Sequence, residues 1–523
     1  MKRVLNAFLL LAIGSWIGAE FFDSDGGAYS RRAGGDSERP ILGLLDKLDA
    51  IYVDAVDRAE LEEVAVEAIL EHLDPFSAWI PPSYFDDVTE QMQGSFQGVG
   101  VEFSILDDTI RVVRVIEGGP ASYAGLQPGD RIHAVGDSSV VGPDLDNETV
   151  KLHLKGPARS AVVVSVRRPG FAPGSSAEEL AFEIIRGNVA IPSVTGGHII
   201  APGIGYLHVD RFADDTDLAF EFAVQNLLKQ GAEKLVVDLK DNAGGYLHTA
   251  IPMASLFLSE GQSVLYTEGK ARPRREYLAE NDGRWRSLDV AVAMNSGSAS
   301  ASEIFAGALQ DHDRALIVGR RSFGKGLVQE EYPVGGGALR LTVSRYYTPS
   351  GRSIQKPYYA AGAEALQGDS LASDTMAFFT DAGRTVFGGG GIAPDVNVPL
   401  DTGLTRQALV ALLWSGWPGR LIDDLVDENR HDYNAVEDVY AWVDYWPSLD
   451  FGLDALAYDV PLELTAGWTP EQHDAFTQSA RSLVARRIAR QLWGDGAAFF
   501  VAAQRDPIVQ AAITALQNDE LQN

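Results

Sequence analysis

From residue 180 to about 400 the sequence alternates short, evenly apolar runs with amphipathic ones, a rhythm that few folds accommodate. GIGYLHVDRF, KLVVDLK, LDVAVAMN, RALIVG and LVQEEYPV have the length and composition of strands. Between them, TDLAFEFAVQNLLKQG reads as an amphipathic helix stopped by Gly231, and SASASEIFAGALQDH as a second helix. Strands alternating with helices point to an α/β architecture with crossover connections. The flanking texture differs. Residues 40–93 place apolar side chains at helical spacing, broken at Asp74-Pro75 and Pro81-Pro82. Residues 94–170 form a β-rich module: GVGVEFSI, TIRVVRVI, DRIHAVGD and SAVVVSVRR alternate with turns, and one helical patch runs from Glu148 to Leu154. Residues 401–523 are mostly helical, rich in Trp, Asp and Ala, and carry no chemistry motif. The expected division is therefore 40–93, 94–170, 171–400 and 401–523.

At the N-terminus Lys2 and Arg3 precede an apolar run from Val4 to about Ala19. Residues 1–22 fit a signal peptide or an uncleaved signal anchor, with a buried N-terminal helix as the competing reading. Residues 23–39, rich in Gly, Ser, Asp and Arg, then read as a tether. The expectation is an exported protein, periplasmic or membrane-anchored and facing the periplasm or the outside. A net charge of −30 argues against nucleic acid as a partner. With no cysteine, disulfides, thiolate nucleophiles and cysteine-bound metals are excluded. No HExxH occurs and the nine histidines are scattered, so no metal site is expected.

The chemistry concentrates between Asn295 and Gln329, NSGSASASEIFAGALQDHDRALIVGRRSFGKGLVQ. Ser298, Ser300 and Ser302 cluster at a helix start, and Lys325 lies between two glycines in a chain with ten lysines and 33 arginines. A serine and a lysine together can form a hydrolase nucleophile without histidine. The simpler reading is a cap: Ser300 and Glu303 match a capping box, and Ile304, Phe305, Ala308 and Leu309 mark one apolar face. Three alternating serines exceed the needs of one cap, and free N–H groups at a helix N-terminus suit an oxyanion. Gly319 to Lys325 comes close to a phosphate-binding loop. However, Gly326 stands where a Ser or Thr must bind magnesium, and a strand rather than a helix follows. His312 offers a serine–histidine alternative, but no G-x-S-x-G elbow is present.

These residues resemble the tail-specific, or C-terminal processing, peptidases, a family of serine–lysine endopeptidases. The family pattern G-S-A-S-A-S-E, a strand, then T-F-G-K-G-x-V-Q reads here as GSASASE and SFGKGLVQ, with Ser322 for the usual threonine. The family places its nucleophile 25 residues before the lysine, which selects Ser300 for Lys325. A glutamine four residues after the lysine orients it, and Gln329 fits. DNAGG, Asp241 to Gly245, is similar to the family's R-N-P-G-G loop, departing at Asp241 and Ala243. The resemblance thus implies an oxyanion hole built from the amides of Ala301 and of Gly244 or Gly245.

LDPFS, the inserted PDZ-like stretch from GVGVEF to SVRR, TPSGRSIQ and GGGGIAPDV extend the similarity over about residues 40–400. It implies a crotonase-like or ClpP-like α/β protease core with an inserted β-rich PDZ domain, an N-terminal helical region and a C-terminal helical region. The PDZ loop would be Gln97, Gly98, Val99 and Gly100, with Val99 and Val101 by an apolar pocket and Lys155 at a position often held by arginine that meets the substrate carboxylate. The implied substrates are proteins or peptides with free C-termini, and no cofactor is implied. A membrane tether through the N-terminus and a homo-oligomer or adaptor stay open. Related folds also serve as catalytically silent scaffolds; here Ser300, Lys325 and Gln329 all survive.

Overall fold

The computed structural model describes residues 40–170, 176–357, 376–401, 403–414, 417–451, 453, 465 and 467–519, so the expected export segment and tether lie outside the described residues. The chain forms two units, one ending at Ile69 and one beginning at Leu70. In the first, the helix Pro40–Ile51 is tied to the start of the helix Arg58–Glu71 through Arg58, which meets Asp46 at 3.2 Å and Asp49 at 2.5 Å.

The predicted alternation becomes a sheet in the second unit. Ile204–Val209, Lys234–Asp238, Asp289–Met294, Leu316–Gly319 and Val396–Asn397 lie side by side and parallel, with Val194–Ala201 antiparallel at one edge. Such strands read as continuous apolar runs because both faces are covered. One face takes the helices Thr216–Lys229, Leu247–Ser255 and Ala301–Asp311, where Phe220, Phe257 and Phe305 meet edge-on at 6.0–6.2 Å. The other face is covered from the far end of the chain. The helix Pro507–Gln517 lays Ile508, Val509, Ala512 and Leu516 against Tyr206, Val236 and Ala291. The C-terminal region is thus partly a layer of the core. Its remainder packs around Trp442, Phe451, Val484 and Ile488.

The helix Ala301–Asp311 departs from the one-sided face expected for it: every residue is buried. Its second side is closed by the segment around Thr348 and Ile392, which would lie 3.0 and 3.1 Å from a Cβ placed at Gly307. Its last turn is held by the buried pair Arg352–Asp311 at 2.7 Å, a cation at the negative helix end.

A second, antiparallel sheet carries Leu327–Val334, Gly337–Tyr347, Ser263–Gly269 and Arg272–Leu278. It also includes Ala78–Ile80, a short strand inside the stretch read as helical. The Asp74-Pro75 break explains it. The Asp74 carboxylate accepts from Phe76 N, Ser77 N and Ser77 Oγ, which folds a turn and aims the next residues along the sheet.

The β-rich module is an antiparallel sheet of Val101–Leu106, Thr109–Val115, Arg131–Val135, Ala161–Arg168 and Glu178–Ile185 with the helix Asn147–Leu154. The sheet continues past residue 170, because Glu178–Ile185 pairs with Ala161–Arg168 along its whole length. Arg111, only 2% exposed, joins this module to the C-terminal helices through Asp427 at 2.8 Å. Among the described residues no helix is long and apolar enough to cross a membrane.

Candidate active site

Ser300 is the N-cap of the helix that begins at Ala301, reached from the strand Asp289–Met294 through the connection 295–299. Its backbone has φ 55° and ψ −113°. A non-glycine residue there costs about 1–3 kcal/mol and persists only where its surroundings enforce it. The strain sits at the serine that starts the helix, although no G-x-S-x-G motif announces it.

The other two serines account for part of that enforcement. Ser298 Oγ donates to Leu239 O at 2.7 Å and accepts Asn295 N at 3.0 Å. Ser302 Oγ donates to Asn242 O at 3.0 Å. Both pin the 239–245 loop beside Ser300. The alternation has a physical basis: the outer two serines bond the 239–245 loop, and the one between them starts the helix in a capping box with Glu303.

Glu303 does more than cap. Its buried carboxylate accepts Ser300 N at 2.8 Å and Lys325 N at 2.9 Å on Oε2. On Oε1 it accepts Gly324 N at 2.8 Å and Ser322 Oγ at 2.5 Å. The short helix cap is thus the post to which the lysine loop is tied. Burial pushes the carboxyl up, and these donors pull it back.

The glycine loop approaches from the other side. A Cβ on Gly244 would lie 2.7 Å from Ser300 Cβ and 2.9 Å from Ala301 N, so only glycine fits. The two glycines are not equivalent. Gly244 N already donates to Asn242 Oδ1 at 2.8 Å, which removes it from the expected oxyanion donors. Gly245 N and Ala301 N have no acceptor among the described residues. Asp241, one departure from the family loop, sits at φ 60° and accepts Asn295 Nδ2 at 2.9 Å.

Lys325 Nζ donates to Gln329 Oε1 at 2.7 Å and lies 5.1 Å from the centre of the Phe76 ring. Gln329 Nε2 donates to Phe76 O at 2.6 Å, which fixes the amide so that its oxygen faces the lysine. Burial lowers the Lys325 pKa, and the Arg340 charge lowers it further, against the pull of Asp74 and Glu303. No hydrogen bond joins Lys325 Nζ to Ser300 Oγ in this structure. His312 belongs to the opposite end of the same helix, roughly 18 Å along its axis, where it bonds Asp381 and Ser263 O at 2.7 Å each. It is a structural cap.

Residues 203–364 match the model of peptidase family S41, and residues 111–168 match a PDZ domain. A carboxy-terminal-processing protease of Bartonella bacilliformis is 35% identical over 317 residues, covering 60% of this chain and 71% of that protein. The chain belongs to peptidase family S41. It is an S41 serine peptidase of the carboxy-terminal processing kind, with a PDZ domain. The carboxy-terminal processing protease CtpB of Bacillus subtilis is 32% identical over 340 residues, 63% of this chain and 69% of that one. A solved photosystem II D1 C-terminal processing protease is 28% identical and covers 70% of this chain and 94% of its own, with a TM-score of 0.35.

In this S41 peptidase the PDZ domain holds a cavity of about 260 Å³ lined by Phe96, Val99, Val101 and Leu154. Gly98 closes the strand Ser95–Gly98, and Gly100, at φ 83°, directly precedes the strand Val101–Leu106. Val99 is packed inward, its carbonyl accepting Ala121 N at 2.7 Å. Lys155 is on the cavity wall but is paired with Glu90 at 2.6 Å, so its charge is already met from within the chain. Phe76 and Tyr346 are not singled out by the sequence. Glu303 was visible as half of a cap; its bonds to residues 322–325 depend on a crossover that spacing does not reveal.

Proposed function

We propose that Ser300 is the nucleophile of this peptidase, Lys325 its general base and Gln329 the residue that holds the base. The observation that carries this reading is the Lys325–Gln329–Phe76 chain of hydrogen bonds beside a strained helix-start serine. A base must be neutral to take a proton, and burial of Lys325 favours the neutral amine. The reading requires Nζ to reach Oγ in the substrate complex; such contacts are commonly loose before substrate binds. Nζ takes the Oγ proton as Oγ attacks the scissile carbonyl. The oxyanion is received by the amides of Ala301 and Gly245. The resulting ammonium gives its proton to the leaving amine, and the acyl-enzyme forms. Water, deprotonated by the same lysine, then releases the new C-terminus and restores Ser300. Ser300→Ala and Lys325→Ala should each lose turnover of an unfolded protein such as casein while keeping the wild-type melting profile; proteolysis by either would end the assignment.

The PDZ cavity supports selection of substrates by their C-termini, as an added strand with the terminal carboxylate at the Gly98–Val101 loop. A carboxylate arriving at Lys155 competes with Glu90 for it. A peptide substrate with a free C-terminus should be cleaved faster than its amide, and equal rates would count against C-terminal recognition. With an export segment at the N-terminus, the substrates would be exported proteins on a crotonase-like or ClpP-like core.

A further inference from the structure

We infer that Tyr346 is a positioning residue for the serine–lysine pair: its phenol bridges the nucleophile turn and the base loop and sets the distance between them. This rests on the assignment of Ser300 and Lys325 above. The phenol oxygen lies 2.7 Å from Lys325 O and 3.1 Å from Ser300 O. It has one proton to give. Ser300 O already accepts from Glu303 N at 2.9 Å and Ile304 N at 3.0 Å, as the first carbonyl of the helix. Lys325 O has no other donor among the described residues, and it has the shorter contact, so the proton goes there. The phenol oxygen then rests against Ser300 O as a spacer.

Glu303 does the matching work on the other side of both residues. Its Oε2 takes the N–H of Ser300 and the N–H of Lys325. One carboxylate oxygen and one phenol oxygen thus contact both backbone polar groups of the nucleophile and both of the base. Tyr346 is itself fixed: it is 1% exposed, lies within the core, and its own N–H donates to Gly326 O at 3.0 Å. Burial and the nearby Glu303 charge hold the phenol protonated across any assay range. The ring fills space, and only the hydroxyl reaches the two carbonyls. That separates packing from positioning and makes Tyr346→Phe an informative change.

In Tyr346→Phe the strained Ser300 turn loses its spacer and Lys325 O loses its one donor among the described residues. A misplacement of a fraction of an ångström to 1 Å should lower kcat about ten- to hundredfold with KM unchanged. The rate of Ser300 labelling by a fluorophosphonate should fall by the same factor. A lysine loop released toward water recovers the ordinary lysine pKa, so the acidic limb of kcat/KM should move to higher pH. Tyr206→Phe is the control. It removes another buried phenol, hydrogen-bonded to Asp238 at 2.8 Å on the far face of the sheet, and should cost stability but leave kcat and the pH limb in place. A Tyr346→Phe enzyme with wild-type kcat and pH limb overturns the inference, as does a loss no larger than that of Tyr206→Phe at equal melting temperature. If Lys325→Ala retained activity, the catalytic assignment would fall first, whatever Tyr346→Phe does.

Discussion

Replacing Glu303 by glutamine keeps the shape of the site and tests what holds it. All four partners of the carboxylate are donors: Ser300 N and Lys325 N on Oε2, Gly324 N and Ser322 Oγ on Oε1. Only an ionised carboxylate accepts at both oxygens. A glutamine offers one oxygen, so at best two of the four bonds survive and the amide NH2 faces two donors. Hydrogen bonds to a charged group contribute about 1.5–3 kcal/mol each, so the loss is about 3–6 kcal/mol. That is a large fraction of ordinary domain stability and corresponds to a melting shift on the order of 10 °C. The amide can be seated either way. With NH2 toward Oε2's partners, Ser300 and Lys325 separate; with NH2 toward Oε1's partners, the 322–324 turn opens. Either way activity should fall at least a hundredfold even well below the melting point. Thermal unfolding together with peptidase turnover at low temperature reads both quantities. A Glu303→Gln protein that melts within 2 °C of wild type and keeps full activity, about what surface substitutions do, would show that Glu303 does not hold the two loops together.

Burial and Arg340 lower the Lys325 pKa, and kcat/KM should rise with pH as the amine loses its proton. Arg340→Gln removes a like charge and raises that pKa, so the acidic limb should shift to higher pH; no shift, or one to lower pH, contradicts the base assignment. Ser302→Ala removes one of two donors to Asn242 O, the other being Ala299 N at 2.9 Å. It should lower kcat by up to about tenfold with KM kept, whereas Ser298→Ala, losing a donor and an acceptor, should also destabilise by about 1–3 kcal/mol. Ending the chain before Pro507 uncovers Tyr206, Val236 and Ala291 and removes Ile508, Val509, Ile513 and Leu516. At about 1.5–3 kcal/mol per large side chain the loss is about 6–12 kcal/mol, so the truncated protein should be recovered as aggregate or bind a hydrophobic dye strongly.

What the sequence made legible were features written in one short stretch. Parallel strands such as KLVVDLK and LDVAVAMN announce themselves because both faces are buried and their middle positions are continuously apolar. The serine–lysine–glutamine order is likewise linear. What it concealed depends on contacts between distant residues. Glu303 looked like a cap because its partner three residues away is in view and those at 322–325 are not. The helix Ala301–Asp311 looked one-sided because alanine and glycine pass as polar-face residues, although here their smallness lets Thr348 and Ile392 close over them. That Gly244 N already donates to Asn242 Oδ1 is likewise a contact that the glycine pair alone does not reveal. The helix Pro507–Gln517 carried a clear apolar stripe, but nothing local said that the stripe faces the catalytic sheet.

Peptide hydrolysis by this chain depends on which serine is activated and by what. Peptide mapping of the adduct left by a fluorophosphonate, on wild type and on Lys325→Ala side by side, reads this directly. The adduct should be on Ser300 alone in wild type, and labelling of the folded Lys325→Ala protein should drop by at least a hundredfold. An adduct on Ser298 or Ser302, or undiminished labelling of Ser300 without Lys325, would contradict it.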